Sequence, residues 1–242
     1  MNKIFAYELR RILFNKFFVG LLVLNGVFAW FILTSDTIAG TSFTAPFSPW
    51  SFGMYLSSLM PMALLTVLFL LASFYSKKEK QVAVLTGATS VNPVRYALVR
   101  MAAVAVGFSC LCFLFGGLSI YFYAAYFDYW NYALFFLPAV LTIFPCFIFA
   151  MGFGNLIARV HVKYLYAFMF VVLAASFIQI PDAFDFFGGR FFSNYPLSLQ
   201  VAADGEPVFS LSAAFLFARV FYLIAGGALF ILSIRKKKVG QG

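Results

Sequence analysis

Six stretches of this chain run apolar for about the length that a bilayer core demands of a helix, roughly 17 to 25 residues. They cover residues 17–33, 52–75, 99–123, 132–156, 164–180 and 211–234. A backbone placed in hydrocarbon must satisfy its own hydrogen bonds, and none of these stretches alternates like a lipid-facing barrel strand, so each is expected to be a helix. The composition agrees: 64% of residues are hydrophobic and 10% charged, with mean hydropathy +0.95. Soluble domains carry about 25% charge. The expected fold is all-α: a polytopic membrane protein with six transmembrane helices, forming one domain over 1–242 without internal repeat or linker.

Charge sets the expected orientation. With the N-terminus in the cytoplasm, Lys3, Arg10, Arg11, Lys16, Lys77, Lys78, Lys80, Arg95, Arg100, Arg159, Lys163 and the run Arg235, Lys236, Lys237, Lys238 all fall inside. These are fifteen of the seventeen basic residues; only Arg190 falls outside, and Arg219 lies within the sixth run. Asp36, Asp128, Asp182, Asp185, Asp204 and Glu206 fall outside. The positive-inside rule therefore puts both termini in the cytoplasm. The net charge of +9 reads as a topology signal, with no nucleic-acid partner implied. Residues 1–16, "MNKIFAYELRRILFNK", mix charge with apolar residues before the first run and lack the plan of a cleavable signal. Ile4, Phe5, Leu9, Ile12, Leu13 and Phe17 recur at helical spacing, with Lys3, Glu8, Arg10, Arg11 and Asn15 on the remaining circumference. The segment is an amphipathic helix suited to the headgroup layer and membrane lipids, or a juxtamembrane stop signal.

Between the second and third runs lies "SKKEKQVAVLTGATSVNPVRYALVR", far longer than the roughly 2 to 8 residues that join helices in bundles. "KEKQVAVL" is rich in helix formers and "TGATS" offers a break. Asn92 before Pro93 favours extended backbone, after which Pro93 suits the first turn of a new helix. Two readings stand: a helix, a turn and a short element at the membrane surface, or a solvated loop whose lysines enforce topology.

Taken together, these residues resemble the ABC-2 type permeases of ATP-binding-cassette exporters over essentially the whole chain. Glu8, Arg10 and Arg11 match that family's N-terminal "ELRR"-like motif. Glu79, Leu85, Pro93, Arg95 and Arg100 match the cytoplasmic segment between its second and third spans. The stretch "TGATSVN" departs from the family, which more often has a leucine pair near the proline. The resemblance implies that residues 76–98 form a coupling segment docking on a separate ATPase. It implies as partners a dimer of nucleotide-binding subunits and a second permease, either another copy or a homologue, with the first and fifth spans near the seam. It also implies a place in the bacterial cytoplasmic (plasma) membrane. The chain has no phosphate-binding G-x-x-x-x-G-K-[ST] loop. ATP and Mg are thus expected on the partner, with no cofactor bound directly.

Catalytic constellations are not visible in the sequence. His161 stands alone in "ARVHVKY"; Cys110 and Cys112 point about 200° apart on a helix, and with Cys146 read as small apolar residues. No catalytic or metal set is assigned, and the chain is expected to be a permease and not an enzyme. Arg219 is the one charged residue well inside the six runs, Arg100 standing at the edge of the third; it either snorkels outward towards Asp204 or Glu206 or contacts substrate. Ala103 and Gly107, and Ala150 and Gly154, form small pairs for close helix packing. Residues 181–210 contain "FFGGRFF" and are expected to fold back on the membrane as an external cap. The functional expectation is export of an amphiphilic or hydrophobic substrate: a peptide, an antibiotic or a lipid-like molecule. An integral membrane enzyme acting on lipids and a non-transporting membrane anchor of an ATPase complex remain open alternatives.

Overall fold

The computed structural model describes residues 2–76, 92–178, 180–201 and 205–234. Two helices open the chain, α1 (Asn2–Leu13) and α2 (Lys16–Ser35), separated where the Asn15 side chain accepts the Phe17 N–H at 3.0 Å. This cap restarts the helix and turns an expected single element over 1–16 into a shorter helix and a break. Helix α3 (Pro49–Phe74) begins the same way, with Ser48 accepting from Ser51 N and Pro49 in the first turn. Helix α4 (Pro93–Phe127) is capped by Asn92, whose side chain accepts from Val94 N at 2.9 Å. Its 35 residues run without a break, so Pro93 opens the third long helix itself and not a separate surface element. Then follow α5 (Phe136–Val160), α6 (Val162–Ala175), α7 (Gly189–Asn194) and α8 (Ala213–Ile234). The described residues form no strand.

Among the described residues, five stretches are long and apolar enough to cross a membrane: Lys16–Ala39, Pro49–Phe74, Val94–Phe127, Tyr132–Val160 and Ala213–Ile234. With this composition they make the chain a multi-pass membrane protein. Helix α3 is the axis of the bundle; nearly every side chain from Trp50 to Phe74 is buried, against α2, α4, α5 and α6. Helices α2 and α8 are peripheral, and their Val23, Val27, Phe217 and Ile224 are exposed, which hydrocarbon tolerates and water would not.

The tightest pair is α5 with α8. A Cβ on Gly152 would lie 2.1 Å from Gly226 O, and one on Gly226 would lie 2.6 Å from Phe149 Cα, so the two backbones touch. Pairings advance together, Phe149 with Tyr222, Gly152 with Gly226 and Asn155 with Ser233, so the helices run parallel. The chain between them must therefore return the length of the bundle. The expected fifth span over 164–180 supplies only part of that return. Helix α6 has 14 residues, about 21 Å at 1.5 Å per residue, short of the roughly 30 Å hydrocarbon core.

Residues after α6 pack in an unexpected way. The segment expected to cap the bundle from outside instead inserts into it. Phe186 packs 5.4 Å from Phe149 at the midpoint of α5, and Cys146 donates its thiol hydrogen to Phe186 O at 3.0 Å. Of "FFGGRFF", Phe187, Phe191 and Phe192 are buried, the last two with Trp50 and Phe215 in a separate aromatic cluster. Phe191 stacks on Phe215 at 3.8 Å. These aromatics would be costly in water, and the bundle buries them.

Candidate functional site

Arg219 anchors this inserted segment. It is 1% exposed, and its guanidinium donates to Phe186 O at 2.7 Å and Asp185 O at 2.8 Å while lying 4.4 Å from the Phe215 ring centroid. The turn it grips is built locally: the Asp185 carboxylate accepts from Phe187 N at 3.1 Å and Arg190 N at 2.9 Å. Gly188 adopts φ 88°, where a Cβ would lie 2.6 Å from the Arg219 guanidinium. The expected outward reach is corrected accordingly. Arg219 turns inward to carbonyls, Glu206 accepts instead from Ala45 N at 2.9 Å, and Asp204 lies outside the described residues. Burial explains the difference: a guanidinium in a dry bundle needs acceptors, and a turn with unpaired carbonyls needs donors.

Next to this turn, one stripe of α3 is only partly buried. Met54, Ser58, Met62, Leu65, Phe69 and Ser73 recur at helical spacing and are the breaks in an otherwise buried helix, running between α2 and α6. A cavity closes each end. One, of about 310 Å³, lies among Ser57, Ser58, Ser176, Asp185, Arg190 and Ser193. The other, of about 480 Å³, lies among Arg11, Asn15, Phe69, Ser73, Val162 and Tyr166. Only Ser58 and Ser73 mark this face of α3 as polar in the sequence. Hydropathy alone does not reveal the stripe, because the buried faces are as apolar as this one.

At the α1 end, two motifs far apart in sequence meet. Glu8, placed by periodicity on the polar face, is 1% exposed. Arg11 reaches its Oε2 at 3.2 Å and the Tyr96 hydroxyl donates to its Oε1 at 3.1 Å. Arg100 donates to Phe74 O at 2.8 Å and lies 4.1 Å from the Phe74 ring centroid, with Arg11 5.1 Å from the same ring. The helix periodicity was read correctly, but α1 presses its Glu8 and Ile12 side onto the bundle and leaves Tyr7 and Phe14 exposed. Arg10 and Arg95 are exposed, Pro93 opens α4, and Glu79 and Leu85 lie outside the described residues. Beside this cluster, Tyr75 donates to Asn155 Oδ1. His161 is exposed and its Nδ1 caps α6 by accepting Lys163 N at 3.0 Å. Among the described residues no three His, Cys, Asp or Glu side chains gather as metal ligands. No family model, curated protein or solved structure matches this chain.

Proposed function

We propose that the chain is the transmembrane permease subunit of an ATP-driven exporter, with six crossings, both termini cytoplasmic, and residence in a bacterial cytoplasmic membrane. The observation that carries this reading is the meeting of Glu8 and Arg11 with Tyr96 and Arg100 around Phe74. The motif residues at the N-terminus and at the start of α4 thereby form one rigid joint, at the end of α3 from which the segment holding Glu79 and Leu85 departs. A push delivered there by an ATPase would reach α1, α3 and α4 together. ATP and Mg would be held by that partner. The parallel course of α5 and α8 supports the sixth crossing, because it requires a return between them. The half-buried stripe of α3 supports a pathway completed by a second permease, with Met and Phe giving an amphiphilic or hydrophobic cargo an adaptable wall.

Purification of the tagged chain from the cells that make it tests the assignment directly. A phosphate-loop ATPase should co-purify, and Glu79→Ala with Arg95→Ala should leave insertion normal while reducing assembly or cargo-stimulated hydrolysis. A chain that inserts with no nucleotide-hydrolysing partner, or a double variant that assembles and transports like the parent, would remove the exporter reading.

A further inference from the structure

Asp185, in the turn that Arg219 grips, also stands at the wall of the cavity of about 310 Å³ between α3 and the end of α6. Ser57 and Ser58 line the same space, about 12 Å along α3 from Pro49, which places it at hydrocarbon depth. Ser176 and Ile178 at its α6 rim are exposed, so the space is reached from beside the bundle. A polar space at that depth is filled by water or by a ligand whose hydrogen bonds match its wall.

The hydroxyl hydrogens of that wall are already committed. Ser57 Oγ donates to Gly53 O at 2.8 Å, Ser58 Oγ to Met54 O at 3.0 Å and Ser193 Oγ to Arg190 O at 3.2 Å. These oxygens keep only acceptor capacity, and the Asp185 carboxylate, with one backbone N–H on each oxygen, offers more of the same. A primary ammonium, with its N–H donors, matches such a wall, whereas a quaternary one has no N–H to give. Arg190 lines the cavity too, and among the described residues it and Asp185 are the charged groups there. A purely cationic ligand would meet a like charge in Arg190 and a purely anionic one in Asp185, so one molecule carrying both signs suits the pair. From the cavity the half-buried stripe of α3 continues through Met62 and Leu65 to Phe69, about 16 Å from Ser58, an apolar bed for a chain. We infer that this cavity binds one lipid whose head carries a primary ammonium beside a phosphate, as phosphatidylethanolamine does. The ammonium meets Asp185 and the serine oxygens, and an acyl chain lies along the stripe. The inference needs only the membrane character of the chain, so it stands or falls apart from the exporter reading.

Ser176 makes the site testable, because it is exposed at the rim and closes α6 through its backbone N–H. Ser176→Leu narrows the cavity and leaves every acceptor in place, while Ser58→Ala removes one acceptor and no charge. The full chain, purified in neutral detergent, is titrated with dioleoyl phosphatidylethanolamine, dioleoyl phosphatidylcholine, dioleoyl phosphatidylglycerol or soluble phosphoethanolamine, reading thermal midpoint and, by native mass spectrometry, bound lipid. Phosphatidylethanolamine should raise the midpoint by several degrees and stay bound where the other three do not. Ser176→Leu should abolish that rise with its lipid-free midpoint unchanged, and Ser58→Ala should weaken the titration about ten-fold. An equal response to phosphatidylcholine would remove the ammonium requirement and leave an ordinary lipid-facing surface. An equal response to phosphatidylglycerol would leave an anion site at Arg190 and overturn the two-sign match. A full response to phosphoethanolamine would overturn the lipid and leave a soluble ligand of the same chemistry. No response to any of the four would mean a cavity that holds water alone. A phosphatidylethanolamine response that survives both variants would place the lipid elsewhere and overturn the site.

Discussion

Neighbouring glycines on α8 separate packing from mere apolarity. Gly226 lets the α5 backbone approach within contact, whereas Gly227 faces open space one residue later. Gly226→Ala should therefore cost about 1–3 kcal/mol through overpacking. Gly227→Ala should be neutral or stabilise by up to about 1 kcal/mol through helix propensity. Thermal midpoints of the two variants in one detergent measure the contrast, and equal effects would refute the close approach. Arg219 is equally position-specific. Its planar fork spans the carbonyls of Asp185 and Phe186, so Arg219→Lys keeps the charge but cannot serve both acceptors with the same geometry. The expected cost is about 1–3 kcal/mol, with faster proteolysis of residues 182–194. Unchanged stability and protection would mean that the guanidinium is not the anchor of that turn.

Among the elements, α1 and the segment after α6 carry the clearest departures from simple spans. Helix α1 is held to α4 by a buried carboxylate, and removing it takes away the ion pair with Arg11 and the hydrogen bond from Tyr96. Arg11 is partly exposed, which tempers the loss, so Glu8→Ala should cost about 1–2 kcal/mol. Hydrogen exchange of residues 2–13 should rise more than that of α3; uniform change across the chain would argue against a local docking role. The α6 segment follows a 14-residue helix with a turn packed into the bundle, and its polar Ser176 borders the cavity between them. Apolar length alone misjudges such an element, because the bundle, not lipid, surrounds part of its backbone.

For the molecule as a whole, the decisive quantity is the number of crossings. If α6 and the segment following it complete a return between the parallel helices α5 and α8, exposed positions His161 and Leu197 lie on opposite sides of the membrane. Single cysteines placed there in a Cys-free background should label from opposite faces, with Lys3 and Arg95 sharing the face of His161 and Asp128 that of Leu197. Same-side labelling of 161 and 197 would leave five crossings and reverse the expected side of the C-terminus.

The sequence by itself determined the helical class, the membrane environment and the start of α4 at Asn92 and Pro93. These depend on local matters: run length, the amide before a first turn, and proline at its start. The periodicity of residues 2–13 likewise predicted a helix with two faces. What the sequence left open was which face meets what, since in hydrocarbon the lipid-facing and buried sides are equally apolar and hydropathy loses its power to sort them. Only the tertiary structure buried Glu8, turned Arg219 inward, drew "FFGGRFF" into the bundle and left one stripe of α3 half-buried. Each of those outcomes depends on a partner distant in the chain. A charge without lipid or water must find carbonyls or a counter-ion, and only the packed bundle decides which are within reach.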